Sequence, residues 1–279
     1  MVFQQVLPLS GLGGWAFLQS TYDSQLETYS NSAQIKNDID YFTEKLSQPI
    51  AVEDFVTDGR LRRIALTSFG LAEESWKTGY VRTVLDEVQD PDSTFLARLN
   101  NEAYSDFANA LRPNSEGMIN LASAQVERMA GQYAAESFEA AVGEQDNAMR
   151  LSLNYQNEIA GLVNADATDQ TNLYRMLGSV PVRTVMETAL GLPSEFATLD
   201  IDRQAEILDE ELQKKFNISS ISDLTQPDVI DRVIERYQVL DSLNQSVAAT
   251  GPAATALTLL SNAVGFGALA SQNLFLSNF

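Results

Sequence analysis

RRIALTSFGL, Arg62 to Leu71, is followed ten residues on by VRTVLDE, Val81 to Glu87. The same grammar returns later as VRTVMETALGL, Val182 to Leu192, followed by AEILDE, Ala205 to Glu210. Gly70-Leu71 and Gly191-Leu192 lie 121 positions apart, and Leu85 and Leu208 lie 123 apart. Two matched segments in one order at nearly one offset predict an internal duplication with small insertions. The repeated residues build helices. Leu61, Ile64, Ala65 and Phe69 recur at i, i+3, i+4 and i+8, one apolar stripe, and Val182, Val185, Met186, Ala189 and Leu190 form its counterpart. Thr57 or Asp58 in one copy and Ser179 in the other can cap the free N–H groups of the first turn, and Pro181 suits that turn. Gly70 and Gly191 stand where a helix stops in a left-handed residue, with Leu71 and Leu192 as the hydrophobic contact beyond.

Outward from these blocks the pattern stays helical. A first helix is expected from Trp15 to Gln34, and a second through Ile39, Phe42 and Leu46, closed by Pro49. The sequence predicts a long helix from Met118 to Val142, interrupted at Gly143. Asp146 then caps a continuation through Met149, Tyr155, Ile159 and Leu162. Another helix opens at Pro227-Asp228 and carries Val229, Val233, Ile234 and Tyr237. No stretch alternates with period two, so little or no strand is expected. The fold class is all-α, an internally duplicated helical domain of two similar multi-helix halves joined by a long central helix. The segments are 1–22, uncharged and apolar; 23–112, the first helical repeat; 113–163, the central helices; 164–240, the second repeat; and 241–279, an apolar stretch with no charge beyond Asp241.

Composition removes much chemistry. Among 279 residues there is no His and no Cys. That excludes Ser-His-Asp and Cys-His catalysis, Cys/His zinc sites and disulfides. GLGG (Gly11 to Gly14) follows no strand and is not a dinucleotide fingerprint. Five lysines, Lys36, Lys45, Lys77, Lys214 and Lys215, sit in polar contexts suited to solvent. Carboxylates are abundant, notably Asp86, Glu87, Asp90 and Asp92, and Glu206, Asp209, Glu210 and Glu211. Ordinary charge patterning makes these solvated helix faces rather than a hydrolytic pair. The loops at Asp90–Thr94 and Asn164–Asp169 lack the Gly and Glu that a calcium loop needs at its sixth and twelfth positions. DPDS reads instead as a helix start with Ser93 as cap. No catalytic residue, cofactor or metal ligand is expected, and the chain is read as non-enzymatic.

Net charge is −20. Such a surface repels phosphate backbones, so no nucleic-acid partner is expected. Residues 1–22 give no basic region before Val6-Leu7, so no secretory signal is read there. Ala253 to Ala270 is interrupted by polar and glycine residues, so membrane insertion is not expected either. The expected interaction sites are the two uncharged ends, Val2 to Leu18 and Leu257 to Phe279. In the second, Leu257, Leu260, Val264, Phe266, Leu269, Leu274, Phe275, Leu276 and Phe279 are the candidate partner-binding residues, because helix-in-groove contacts need such apolar stripes.

TDGRLRRIALTSFGL (Thr57 to Leu71) resembles the block D-x-RL-x-x-x-AL-x-x-FGL of a bacterial family. VRTVLDEVQDPDSTFLARLNNEAYSDFANAL (Val81 to Leu111) and YAAESFEAAVGEQDNAMRLSLNY (Tyr133 to Tyr155) resemble the blocks that follow it. This is the domain-of-unknown-function family numbered twelve-seventeen, found mainly in alphaproteobacteria and often encoded beside flagellar genes. The resemblance spans about Trp15 to Tyr237 and is weaker in the second copy, where Met186-Glu187 replaces Ala65-Leu66. It brings no catalytic residues. It implies a flagellum-associated protein of the basal body, rod or hook region, structural or assisting assembly, exported without a Sec signal. Its partners would be other flagellar proteins or further copies of itself. A cytoplasmic adaptor or export chaperone is the alternative.

Overall fold

A computed structural model describes residues 6–250, apart from residues 91 and 100. Its helices are α1 (Gly11–Ser30), α2 (Ala33–Leu46), α3 (Val52–Thr57), α4 (Gly59–Thr67), α5 (Thr78–Glu87), α6 (Phe95–Leu99), α7 (Glu102–Leu111), α8 (Ser123–Gln145), α9 (Asn147–Leu162), α10 (Asp169–Gly178), α11 (Val180–Leu190), α12 (Ile201–Phe216) and α13 (Pro227–Thr250). Strands β1 (Ile50–Ala51) and β2 (Met118–Ile119) form one short antiparallel pair. The fold is all-α.

The chain forms two compact units, with the division falling inside α1 and α9. One takes Ala16–Arg150 with the residues before Leu9; the other takes Leu9–Trp15 and the chain from Leu151 onward. In the first unit α2 and α4 pack on α8, and α3 packs on α4 and α5. Phe42, Phe55, Leu61, Ile64, Leu66, Leu85, Phe107 and Tyr133 are fully buried there. Each such apolar side chain contributes about 1.5–3 kcal/mol of transfer free energy. In the second unit α11 lies along α13, and α10 packs on α11 and α12. All five stripe residues of α11, Val182, Val185, Met186, Ala189 and Leu190, are buried.

The repeated blocks share their local geometry. Each runs helix, left-handed glycine, short 3-10 turn, helix: α4 to α5 through residues 72–74, and α11 to α12 through residues 194–198. Gly70 has φ +71° and Gly191 has φ +61°. The Leu71 N–H donates to the Leu66 carbonyl at 2.9 Å and the Gly70 N–H to Thr67 at 3.0 Å. In the second block Leu192 donates to Glu187 and Gly191 to Thr188, both at 2.9 Å. Both stops are Schellman motifs. Leu71 is buried beyond its stop, whereas Leu192 is half-buried.

Several boundaries differ from expectation, each for a local reason. The first helix starts at Gly11 and breaks near Asn31. There the Ser30 hydroxyl and the Asn31 amide donate to the carbonyls of Leu26 and Glu27, competing with helix continuation. Met118 is not helical. Asn114 Oδ1 accepts from the N–H groups of Glu116 and Met118, folding a turn that sets Met118–Ile119 against Ile50–Ala51. Helix α8 runs straight through Gly143, and the break comes at Asp146, whose carboxylate accepts from the N–H groups of Ala148 and Met149. Asp58 is the cap of α4, accepting from Arg60 at 3.1 Å and Leu61 at 3.0 Å. Ser179 occupies the N-cap position of α11 without capping, its hydroxyl donating to Glu158 instead. Ser93 does cap α6, accepting from the Phe95 N–H at 3.1 Å.

Candidate partner interface

Of the sequence-predicted positions, Gly70 and Gly191 are the helix stops just described. Leu257, Leu260, Val264, Phe266, Leu269, Leu274, Phe275, Leu276 and Phe279 lie outside the described residues, as does the Ala253–Ala270 stretch. No helix among the described residues is long and apolar enough to cross a membrane.

The second unit shows where the uncharged ends meet. Helix α13 opens at Pro227, and Val229, Val233, Ile234, Tyr237 and Gln238 bury its inner face. The Gln238 amide donates to Ser152 Oγ at 2.7 Å, anchoring the helix through a buried polar contact. Beyond Gln238 burial stops: Val239 is 51% exposed and Leu243 is 55% exposed. Ser242 to Ser246 are all exposed. Against this end comes the start of α1. A Cβ added to Gly11 would lie 2.6 Å from Ser242 Oγ, and Gly11 has φ +65°, so both space and backbone call for glycine. Leu9 and Leu12 flank that contact and are themselves exposed. Leu9, Leu12, Val239 and Leu243 thus surround the meeting point of two segments without charge, residues 1–22 and 242–279. Leu9 and Leu12 fall inside the predicted Val2–Leu18 segment. Val239 and Leu243 were not foreseen, because on sequence they continue an apolar helix pattern like any core face.

The first unit holds the principal buried charge site among the described residues. Asp38, 4% exposed, sits on the apolar stripe of α2 between Ile35 and Phe42. Arg60 and Arg63 of α4 donate to its two oxygens, each at 2.7 Å, and the Tyr133 hydroxyl of α8 donates at 2.6 Å. Burial pushes the Asp38 carboxyl upward, but the hydrogen bonds from Arg63, Tyr133 and Arg60 outweigh it and hold it below the usual range. Burial, with the Asp38 carboxylate beside it, pushes the Tyr133 phenol up. The Arg60 guanidinium also stacks 4.4 Å from the Tyr41 ring centroid, and Tyr41 donates to Asp58. A permanently ionised acid shared by two guanidiniums has no proton to trade near neutral pH. The constellation ties α2, α4 and α8 together. On sequence its signal was the charge interrupting an apolar stripe.

Other polar expectations are placed as follows. No group of three or more acidic residues among the described residues is arranged to hold a metal ion. Lys215 is not a solvent lysine: it donates to the Leu190 carbonyl and pairs with Glu211 at 2.7 Å. Asn164 and Asn172 bond each other's backbone, so that loop is closed by its own side chains.

A family described as a protein of unknown function, DUF1217, matches residues 68–230. The chain belongs to the DUF1217 family. The DUF1217 match covers both repeated blocks except the first half of α4, and it ends within α13 before the exposed turns at Val239. Leu9, Leu12, Val239 and Leu243 all lie outside it. A crystal structure of a protein from Agrobacterium tumefaciens resembles this DUF1217 chain with a TM-score of 0.65 and 21% identity, covering 87% of this chain and 99% of that one. That likeness is one of fold. No curated protein matches the chain.

Proposed function

We propose that this chain is a non-enzymatic flagellum-associated protein, a structural or assembly component that binds partners through its uncharged, apolar end segments. The observation that carries the binding half of this reading is the junction of Gly11 with Ser242, where Leu9, Leu12, Val239 and Leu243 stand exposed. Monomeric proteins seldom leave clustered apolar side chains to water without use. A body carrying −20 offers few other places for a partner helix to desolvate without burying charge. The flagellar half comes from the sequence resemblance and its usual gene neighbours. Leu12→Ser with Leu243→Ser changes two exposed positions and should leave the fold intact. The double variant should no longer co-purify with isolated flagellar basal bodies. Undiminished co-purification would overturn the interface, and absence of the wild-type chain from basal bodies would overturn the location in favour of a cytoplasmic adaptor.

A further inference from the structure

We propose that residues 251–279 fold back as a helix onto the face formed by Leu9, Leu12, Val239 and Leu243, and cover it until a partner helix takes their place. This rests on reading the uncharged ends as the binding site, and it names what occupies that site in the free protein. The last two described turns of α13 have lost all core contact: Ser242 to Ser246 are exposed on every side. Their sequence, SLNQS, has weak intrinsic helix propensity, so an unsupported end would fray. Something must pack there for the helix to persist.

Three observations favour the chain's own tail over a second copy. The tail is matched in chemistry, since no charged residue occurs from Ser242 to Phe279 and docking it buries no ion. Its apolar residues Leu257, Leu260 and Val264 recur at i, i+3 and i+7, giving a stripe that fits a helix laid on an apolar face. It begins at Gly251-Pro252, a pair that ends helices and lets the chain reverse beside α13. Tethering then decides the competition. A segment joined directly to the helix it covers has an effective concentration of order millimolar. Two separate copies, each at −20, must first overcome mutual repulsion.

The absence of cysteine makes a clean test possible in the full chain. Leu243→Cys is combined in turn with Leu257→Cys, Leu260→Cys and Val264→Cys, and each purified protein is oxidised. A disulfide requires Cα atoms within about 7 Å. The proposal expects at least one pair to close within a single chain, seen as a faster-migrating monomer on a non-reducing gel and unaffected by tenfold dilution. Disulfide dimers alone would place a second copy on the face, and no cross-link at any pair would leave the tail elsewhere; either result overturns the proposal. Should oxidation perturb folding, amide exchange on the cysteine-free full chain gives a second readout. Leu257→Ser, Leu260→Ser and Val264→Ser together should speed exchange at residues 241–250 at least tenfold, and unchanged exchange there counts against docking. Neither readout needs a partner, so this inference and the flagellar reading can fail separately.

Discussion

Asp38 shows how one residue can join three helices. Its carboxylate is shared by Arg60, Arg63 and Tyr133, and all four are drawn from segments far apart in sequence. Asp38→Asn puts an amide N–H against a guanidinium and leaves a buried network short of an acceptor. The loss should be about 2–4 kcal/mol of unfolding free energy, below the largest buried-pair values because both arginines reach solvent. The pH dependence follows from the direction of the shift. A carboxyl held below its ordinary 3.8 in the folded protein contributes fully above that value and loses its contribution as pH falls through the lower, folded value. Denaturant titrations should therefore show part of the wild-type stability vanishing below about pH 4, and that part should be missing from Asp38→Asn. The left-handed glycines are the second residue-scale feature. No atom lies within 4 Å of a Cβ added at Gly70 or Gly191, so substitution costs only backbone strain. Gly191→Ala should lower stability by about 1–2 kcal/mol with no change in the denaturant m-value. Asn217, at φ 52°, ends α12 by the same left-handed device with a residue that tolerates it.

At the scale of the element, α11 depends on cations from two other helices. Its last carbonyls have no partners within the helix. Arg236 of α13 donates to Ala189 at 2.6 Å, and Lys215 of α12 donates to Leu190. Positive charge at this end also complements the helix dipole. Replacing either residue by Met keeps most of its aliphatic packing and removes the charge. Each should destabilise the chain by about 1 kcal/mol, less in high salt, as measured by thermal unfolding. The repeated block in the first unit reaches its stop without such help: there the Arg62 guanidinium instead donates to the Val56 and Ser75 carbonyls and pins the connection that follows Gly70. Similar sequence grammar thus gives the same stop with different support.

For the whole molecule, charge and its placement set the behaviour. All ionisable side chains fall between Asp23 and Asp241. Ten ion pairs among the described residues neutralise some acids, and most of the pairs are exposed and contribute little. The net repulsion remains, so screening should stabilise. Raising sodium chloride from about 10 to about 150 mM should raise the melting temperature by about 3–5 °C, and a falling melting temperature would show that attraction between charges outweighs repulsion.

The helical class, the two glycine stops and the buried stripe of α11 were legible in the chain, because periodicity and a left-handed glycine act over a single turn or two. The stop of the first long helix near Asn31 and the non-helical Met118 were not. There a side chain's own hydrogen bonds and a strand partner 68 residues away, Ala51 for Met118 and likewise Ile50 for Ile119, won over propensity. By itself the sequence determined which segments carry charge and which do not, since that is a property of residues. Only the tertiary structure decided that Gly11 meets Ser242 and that Asp38 finds two arginines. Those contacts join segments more than twenty residues apart, and packing rather than local preference selects them.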